Sequence, residues 1–210
     1  VPIVLVGSQR SSDRPSSDAA LNLMHAMTAA GHGDVAEVMV CMFGPTSDEY
    51  GFLHRGTRVR KMHSSYRSTF RTLSDVPLAT ITRKGVVPIK QNYNPRRKDR
   101  KVNIYPYFEE KVAIVYYYPN MMPDIIDSLV DNGYRGIIIA GTGLGHINKP
   151  LYPAIERAHA KGVHMFMAVQ TLYGYCHMFV YDTGRDLMAK GIVPAANMLP
   201  ETAYIKLGWV

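Results

Sequence analysis

The sequence has few cysteines and no long apolar run. Its 210 residues include only 2 cysteines, Cys41 and Cys176, which lie far apart and form no CxxC pair. This pattern excludes a disulfide framework and a zinc site built on cysteine pairs, so we expect two reduced, buried thiols. No apolar run approaches the roughly 18 residues that suggest a membrane span, and the first residues lack the features of a signal peptide. We therefore expect a soluble, cytoplasmic protein with no membrane partner.

Two common types of binding site are also disfavoured by residue spacing. The stretch GTGLGH has glycines at positions 141, 143 and 145, but His146 stands where a dinucleotide fingerprint requires glycine. His159 and His164 straddle a predicted helix end, and no carboxylate or cysteine joins them at ligand spacing. We therefore expect no nucleotide cofactor and no metal ion.

Positive charge is abundant and unevenly distributed. The formal net charge is +7, and the segment from Arg83 to Lys101 has eight basic residues but one acidic residue, Asp99. Prolines and asparagines interrupt this segment. It has two interpretations: a solvated linker between domains, or a surface that contacts the phosphate backbone of a nucleic acid. The sequence leaves both open.

The residues on either side of this basic segment alternate between strand and helix patterns. Before it we predict a strand at 2–7, a helix at 17–30 and a strand at 35–43, followed by a long polar segment. After it the strands and helices alternate, as 112–118, 123–133, 136–141, 151–162, 163–170 and 199–210. Such alternation predicts an α/β fold with parallel sheets.

We therefore predict two α/β domains joined by a basic hairpin or linker. The expected boundaries are 1–82 for the first domain, 83–109 for the linker and 110–210 for the second domain. Ligands of parallel sheets bind beyond the carboxyl ends of the strands. Three stretches occupy such positions: GSQRSSD, AGTGLGH and QTLYG.

The segment HRGTRVRKMHSSYRSTF contains the strongest candidate for catalytic chemistry, Lys61. Arg60 precedes this lysine, and hydroxyl side chains follow it at Ser64, Ser65, Tyr66, Ser68 and Thr69. A lysine that is crowded by cations and buried loses its proton more readily, and could accept one from a hydroxyl nucleophile. An ordinary solvated loop would have the same composition, so this alternative stays open.

Several blocks of the sequence resemble one known family. They are PIVLVGSQRSSDRPSSDAALNL, EVMVCMFGPTSDEY, HRGTRVRKMHSSYRSTF, GTGLGH and VYDTGRDLMAKGIVPAANMLPETAYIKLGWV. Together they are similar to the asparaginase-related D subunits of archaeal glutamyl-tRNA(Gln) amidotransferases. The resemblance covers nearly the whole chain in order, with the basic segment its weakest part. It implies a two-domain asparaginase-like fold.

The resemblance also implies a reaction and a set of partners. Such subunits hydrolyse the side-chain amide of glutamine, or of asparagine as a substitute, through attack by a threonine hydroxyl. The ammonia passes to an E subunit, which uses ATP and Mg²⁺ to amidate glutamate on tRNA(Gln), so the D subunit itself needs no cofactor. A lysine that relays the nucleophile's proton matches Lys61. The loop containing Ser8 and Gln9 would line the substrate site, and His146 would close the site of a neighbouring copy in a homodimer.

The sequence departs from the family pattern at several places. The family's TGGTI-like and GTDT-like motifs, which hold both threonines and the aspartate, do not occur in these 210 residues. We therefore expect a fold truncated at both ends and a chain that is inactive alone. Phe43, Tyr66, Ala168 and Val169 also differ from the residues usual in the family. Two alternatives remain: a free-standing L-asparaginase, and a non-catalytic interaction module.

Overall fold

The computed structural model describes residues 1–210, which divide into two compact units, Val1–Ile104 and Tyr105–Val210. The division falls late in the segment that we expected to be a linker, 83–109. Much of that segment belongs to the first unit, because residues 85–88 add a strand to its sheet and residues 94–96 pair with residues 34–36. No helix is both long enough and apolar enough to cross a membrane.

The first unit is built on a mixed five-stranded sheet. The bounds of its strands are β1 Ile3–Val6, β2 Val38–Phe43, β3 Gly51–Arg55, β6 Ala79–Thr82 and β7 Gly85–Pro88, and they lie side by side in that order. Only β1 and β2 are parallel, and the remaining strands pair antiparallel. The predicted strand–helix–strand unit is therefore present, but the long polar segment after it forms hairpins instead of a continued parallel sheet.

Helix α1 (Ala19–His32) connects the two parallel strands and packs on the sheet. Ala26 and Ala29 on this helix lie in one buried cluster with Met39, Leu53 and Ile81 of the strands. Small side chains on the inner face let the helix approach the sheet closely.

A separate two-stranded hairpin carries the lysine singled out above. Its strands are β4 (Val59–Lys61) and β5 (Phe70–Thr72), paired antiparallel with Lys61 opposite Phe70. The loop 62–69 that joins them contains the hydroxyl-rich sequence. Leu73, which follows β5, is fully buried and helps to fix the hairpin to the unit.

The second unit has a fully parallel four-stranded sheet, as predicted. Its strands are β8 Val112–Tyr116, β9 Gly136–Gly141, β10 His164–Val169 and β11 Ile192–Pro194, which lie side by side in chain order. Its helices are α2 Asp124–Asp131, α3 Tyr152–Ala160, α4 Asp182–Ala189 and α5 Pro200–Trp209, with a short 3-10 helix at Lys149–Leu151.

Strand β9 is buried along its whole length, in agreement with its continuous apolar sequence GIIIAG. Ile137 and Ile139 face a large cluster that includes residues of α2 and α3. Ile138 faces the opposite side, in a smaller cluster with Ala203 of α5. Helices therefore cover both faces of this sheet, and the loops at its carboxyl edge rest on a rigid core.

Candidate functional site

The loop that follows β1 is held by one buried carboxylate, that of Asp18. Its oxygens accept hydrogen bonds from the main-chain nitrogens of Gln9 (3.1 and 3.2 Å) and Arg10 (2.9 Å). They also accept one from Nδ2 of Asn22 (2.9 Å), which donates to the carbonyl of Gly7 as well. Asp18 precedes α1, but its side chain caps none of the helix N–H groups. Its charge therefore fixes the polar loop in place.

The predicted site residue Gln9 reaches the hairpin that contains Lys61. Its side-chain Nε2 donates a hydrogen bond of 3.1 Å to the main-chain oxygen of Ser64. The structure thus brings the loop after β1 and the hydroxyl-rich loop 62–69 together, although about fifty residues separate them in sequence. Ser8, the other candidate in the first loop, is exposed.

The loop 62–69 is ordered by its own histidine and threonine. The main-chain N–H groups of Ser65 and Tyr66 donate to Nδ1 of His63, at 3.1 and 3.0 Å. His63 N–H donates to Oγ1 of Thr69 (2.7 Å), and that hydroxyl donates to the His63 carbonyl (2.5 Å). Because Nδ1 accepts two hydrogen bonds, the proton of the neutral ring lies on Nε2.

Lys61 ends β4 and is exposed. Its ammonium group forms no hydrogen bond and no ion pair within the chain. The burial considered above for Lys61 is therefore not provided by these residues. The exposed position does leave the amine open to a hydroxyl group or substrate that approaches the loop.

Two arginines form ion pairs with the same aspartate, Asp48, and the sequence analysis did not predict this arrangement. Asp48, in the loop after β2, forms ion pairs with Arg10 (3.2 Å) and with Arg67. The Arg67 guanidinium also lies 5.9 Å from the ring centroid of Phe43. Phe43, which we expected to differ from the family pattern, is therefore part of the packing beneath this ion pair. Nothing in the spacing of these four residues indicates that they meet.

Tyr66, a second residue that we expected to differ from the family pattern, lies in the loop 62–69. Its ring is half exposed and contacts the ring of His63 edge to face, with 6.0 Å between centroids. The tyrosine thus supports the loop, and its side chain also faces solvent.

In the second unit His146 lies after β9, in the GTGLGH stretch. Its Nδ1 is 3.0 Å from Oγ1 of Thr183, and its ring contacts Tyr181 with 5.4 Å between centroids. The other ring nitrogen, Nε2, is buried without a hydrogen-bond partner. The stretch turns sharply, because Thr142 N–H donates to the His146 carbonyl (2.9 Å) and Gly145 has φ of +109°.

The first residue of the QTLYG stretch, Gln170, connects neighbouring strands of the sheet. Gln170 Nε2 donates to the carbonyls of Tyr117 (2.5 Å) and Ala140 (2.7 Å), so it joins the ends of two neighbouring strands. Ala168 and Val169, which we expected to depart from the family pattern, are buried within β10. Their side chains therefore contribute to the packing of the sheet.

Several buried titratable groups lie in the core and not at these loops. Burial raises the pKa of the Cys41 thiol to about 12 and that of the Cys176 thiol to about 11. Burial, together with the charge of Arg71, lowers the pKa of His54 to about 4. His54 Nδ1 is 2.8 Å from Oγ1 of Thr72. No group of three or more His, Cys, Asp or Glu side chains could hold a metal ion.

Comparison with known families accounts for both units. Residues 1–94 match the N-terminal asparaginase domain, and residues 111–210 match the glutaminase/asparaginase C-terminal domain. The chain belongs to the asparaginase family. Only residues 95–110 of this asparaginase-family chain lie outside the two matches, and they include the most basic part of the sequence.

Relatives of two kinds resemble this asparaginase-family chain. The D subunit of glutamyl-tRNA(Gln) amidotransferase from Thermococcus kodakarensis is 53% identical over 209 residues, and the D subunit from Methanopyrus kandleri is 50% identical over 214 residues. The alignments cover the whole chain but 47% and 46% of those proteins, so the chain spans about half their length.

Solved structures of free-standing enzymes share the fold. The thermostable L-asparaginase from Thermococcus kodakarensis has a TM-score of 0.86 and 26% identity, and the match covers 100% of this chain and 61% of that chain. L-asparaginase I from Vibrio cholerae has a TM-score of 0.85 and 25% identity, with 99% and 61% covered. The predicted asparaginase-like fold is therefore confirmed.

Proposed function

We propose that this chain is part of the glutaminase subunit of a tRNA-dependent amidotransferase that forms Gln-tRNA(Gln). The observation that carries the proposal is a comparison within one organism. The chain is 53% identical to the amidotransferase D subunit of Thermococcus kodakarensis but 26% identical to the L-asparaginase of the same organism. A free-standing asparaginase would be expected to resemble the second protein more strongly.

The proposed reaction is hydrolysis of the glutamine side-chain amide, with release of ammonia. The threonine motifs that the family resemblance associates with the nucleophile are not among these 210 residues. The chain would supply Lys61 as the group that relays the nucleophile's proton. The loop containing Ser8 and Gln9 would contact the substrate, and its rigid attachment to Asp18 supports that role.

The proposed assembly includes an E subunit, tRNA(Gln) and a second copy of the D subunit. In this assembly the E subunit would use ATP and Mg²⁺, and the D subunit would need no cofactor. His146 would complete the substrate site of the neighbouring copy. Its unpartnered Nε2, with Nδ1 placed against Thr183, supports a role in binding a further polar group.

The test is an assay of the complete two-subunit complex with Glu-tRNA(Gln), ATP, Mg²⁺ and glutamine. We expect glutamine hydrolysis coupled to the formation of Gln-tRNA(Gln). Rapid hydrolysis of asparagine or glutamine without any amidation of tRNA, in the presence of the E subunit, would instead support the free-standing asparaginase. No hydrolysis by the complete complex would support the interaction module.

A further inference from the structure

The part of the basic segment that follows β7 is fixed to the first unit by its main chain. Ala36 N–H donates to the carbonyl of Asn94 (2.7 Å), and Arg96 N–H donates to the carbonyl of Asp34 (2.9 Å). Val35 and Pro95 form an antiparallel bridge between these two hydrogen bonds. Residues 94–96 are therefore held against the unit, and the next residues of the basic segment follow from a fixed main chain.

Arg96 itself is used inside the fold. Its guanidinium donates to the carbonyl of Ala30, in the last turn of α1. Carbonyls in the last turn of a helix have no partner within the helix, so a side-chain donor there is stabilising. The Arg96 guanidinium therefore has a hydrogen-bond partner within the fold, unlike the cations that follow it.

Four cations beyond Arg96 are exposed and unpaired. They are Arg97, Lys98, Arg100 and Lys101, here called the basic patch. None of these side chains forms an ion pair or hydrogen bond within the chain, and the neighbouring Asp99 pairs with none of them. By contrast, Lys90 of the same basic segment pairs with Asp75. Unpaired like charges repel one another, so the closeness of these four cations does not stabilise the folded state.

Three members of the basic patch also converge in space. Arg97, Arg100 and Lys101 line one surface pocket together with Asn94 and Pro95. The pocket is thus lined by several positively charged side chains, and the main chain of residues 94–96 beside them is held in place by hydrogen bonds. Such an arrangement fits a polymer that carries phosphate groups. Each cation can contact one phosphate, and these contacts do not depend on the sequence of the bases.

We propose that the basic patch binds phosphates of the tRNA substrate in the complete amidotransferase. This inference rests on the proposed function, which supplies a nucleic acid as the substrate. It adds a direct contact between the D subunit and tRNA, at residues outside both matched family domains. Two of the four cations are lysines, which bind phosphate as point charges, so arginine geometry is not required.

The experiment measures binding of tRNA(Gln) to the complete complex over a range of salt concentrations. The test variant replaces all four residues of the basic patch with glutamine. Each lost phosphate contact reduces the slope of log K against log salt by about 0.7 to 0.9, so we expect a slope shallower by about 3. Affinity should fall at low salt, while tRNA-independent glutaminase activity stays unchanged.

A matched control removes the same charge elsewhere. It replaces four cations that already pair with carboxylates in the second unit: Arg135, Arg157, Lys161 and Lys190. We expect this variant to keep the slope of the unaltered complex. A variant with lysine at both Arg97 and Arg100 should also keep it, because the positive charge is preserved.

Three outcomes would overturn the inference. The first is an unchanged slope in the basic-patch variant, and the second is an equal reduction in the control, which would indicate net charge alone. The third is loss of binding to anionic lipid vesicles with unchanged tRNA affinity, which would assign the patch to a membrane surface. A complex that hydrolyses glutamine but binds no tRNA would overturn the proposed function as well.

Discussion

Gln9 and Ser64 are joined by a hydrogen bond of 3.1 Å from the side-chain Nε2 of Gln9 to the main-chain oxygen of Ser64. This contact unites the loop after β1 with the loop that follows Lys61. The two segments contain most of the polar residues that the sequence identified in the first unit. Their meeting defines the candidate site of the first unit.

The first prediction concerns Asp18, whose carboxylate holds the loop of Gln9. Asp18→Ala leaves the main-chain N–H groups of Gln9 and Arg10 without an acceptor, while Nδ2 of Asn22 keeps its hydrogen bond to the Gly7 carbonyl. Unsatisfied buried donors cost about 1 to 3 kcal/mol each, so we expect the free energy of unfolding to fall by about 3 kcal/mol. Urea denaturation of the complete subunit measures this loss.

The control for Asp18 is Asp13→Ala in the same loop. Asp13 is exposed and its nearest cation, Arg14, is 3.9 Å away. Exposed ion pairs contribute between about 0 and 1 kcal/mol, so the control should be nearly neutral. Equal urea midpoints for Asp18→Ala and Asp13→Ala would show that the buried carboxylate does not organise the loop.

The second prediction concerns acid stability. Burial, with the charge of Arg71, lowers the pKa of His54 to about 4 in the folded state, against 6.5 when solvated. Between these values the unfolded chain binds more protons, so stability is retained above about pH 6.5 and is lost as the pH falls towards 4. The full effect is about 3 kcal/mol.

His54→Asn tests this dependence, because the asparagine amide can still contact the Thr72 hydroxyl but does not titrate. We expect the variant to lose less stability than the unaltered protein between pH 7 and pH 4. His25, whose pKa is also lowered by burial and by Arg83, continues to contribute in both proteins. Parallel stability curves for the two proteins would refute the assignment to His54.

The third prediction concerns the two thiols. Burial raises the pKa of Cys41 to about 12 and that of Cys176 to about 11, and the thiolate is the reactive form. In native protein at pH 8 we expect neither thiol to react with a disulfide reagent such as Ellman's reagent, and both to react after unfolding in urea. Rapid native labelling of either one, located by mass spectrometry, would contradict the burial.

The fold of the second unit could be predicted because its strands are continuous apolar runs. GIIIAG is buried throughout and VHMFMAVQ at most positions, the two strands are parallel, and α3 between them has an apolar face. Helix α4 and strand β11 were missed, since the former buries only Gly184 and Leu187 and the latter has three residues. Elements as short as α4 and β11 form because neighbouring parts of the second unit pack against them or pair with them.

The first unit shows where the prediction from sequence failed. Its hairpins lie in a polar segment with strands of three to five residues, too short for periodicity to detect. The contacts of Asp48 with Arg10 and Arg67 are also invisible in sequence, because they join segments that only the fold brings together. The residues of the Gln9 and Lys61 segments were identified, but their meeting and the exposure of Lys61 were not.

We propose that Lys61 transfers a proton in the glutaminase reaction of the complete subunit. Arginine keeps the positive charge but does not lose a proton at working pH, and methionine keeps the apolar stem without charge. Lys61→Arg and Lys61→Met should therefore both reduce the glutaminase rate, by on the order of a hundredfold or more. Lys84→Met, at an exposed lysine outside the site, serves as the control and should be neutral.

The most direct measurement compares two activities of the same Lys61→Arg complex. One is the turnover of glutamine to glutamate, and the other is the formation of Gln-tRNA(Gln) with ammonia supplied as a salt. We predict that the first falls about a hundredfold or more while the second is unchanged, because free ammonia bypasses the proton transfer. Near-normal glutamine turnover by Lys61→Arg would contradict the account, since positive charge alone would then suffice.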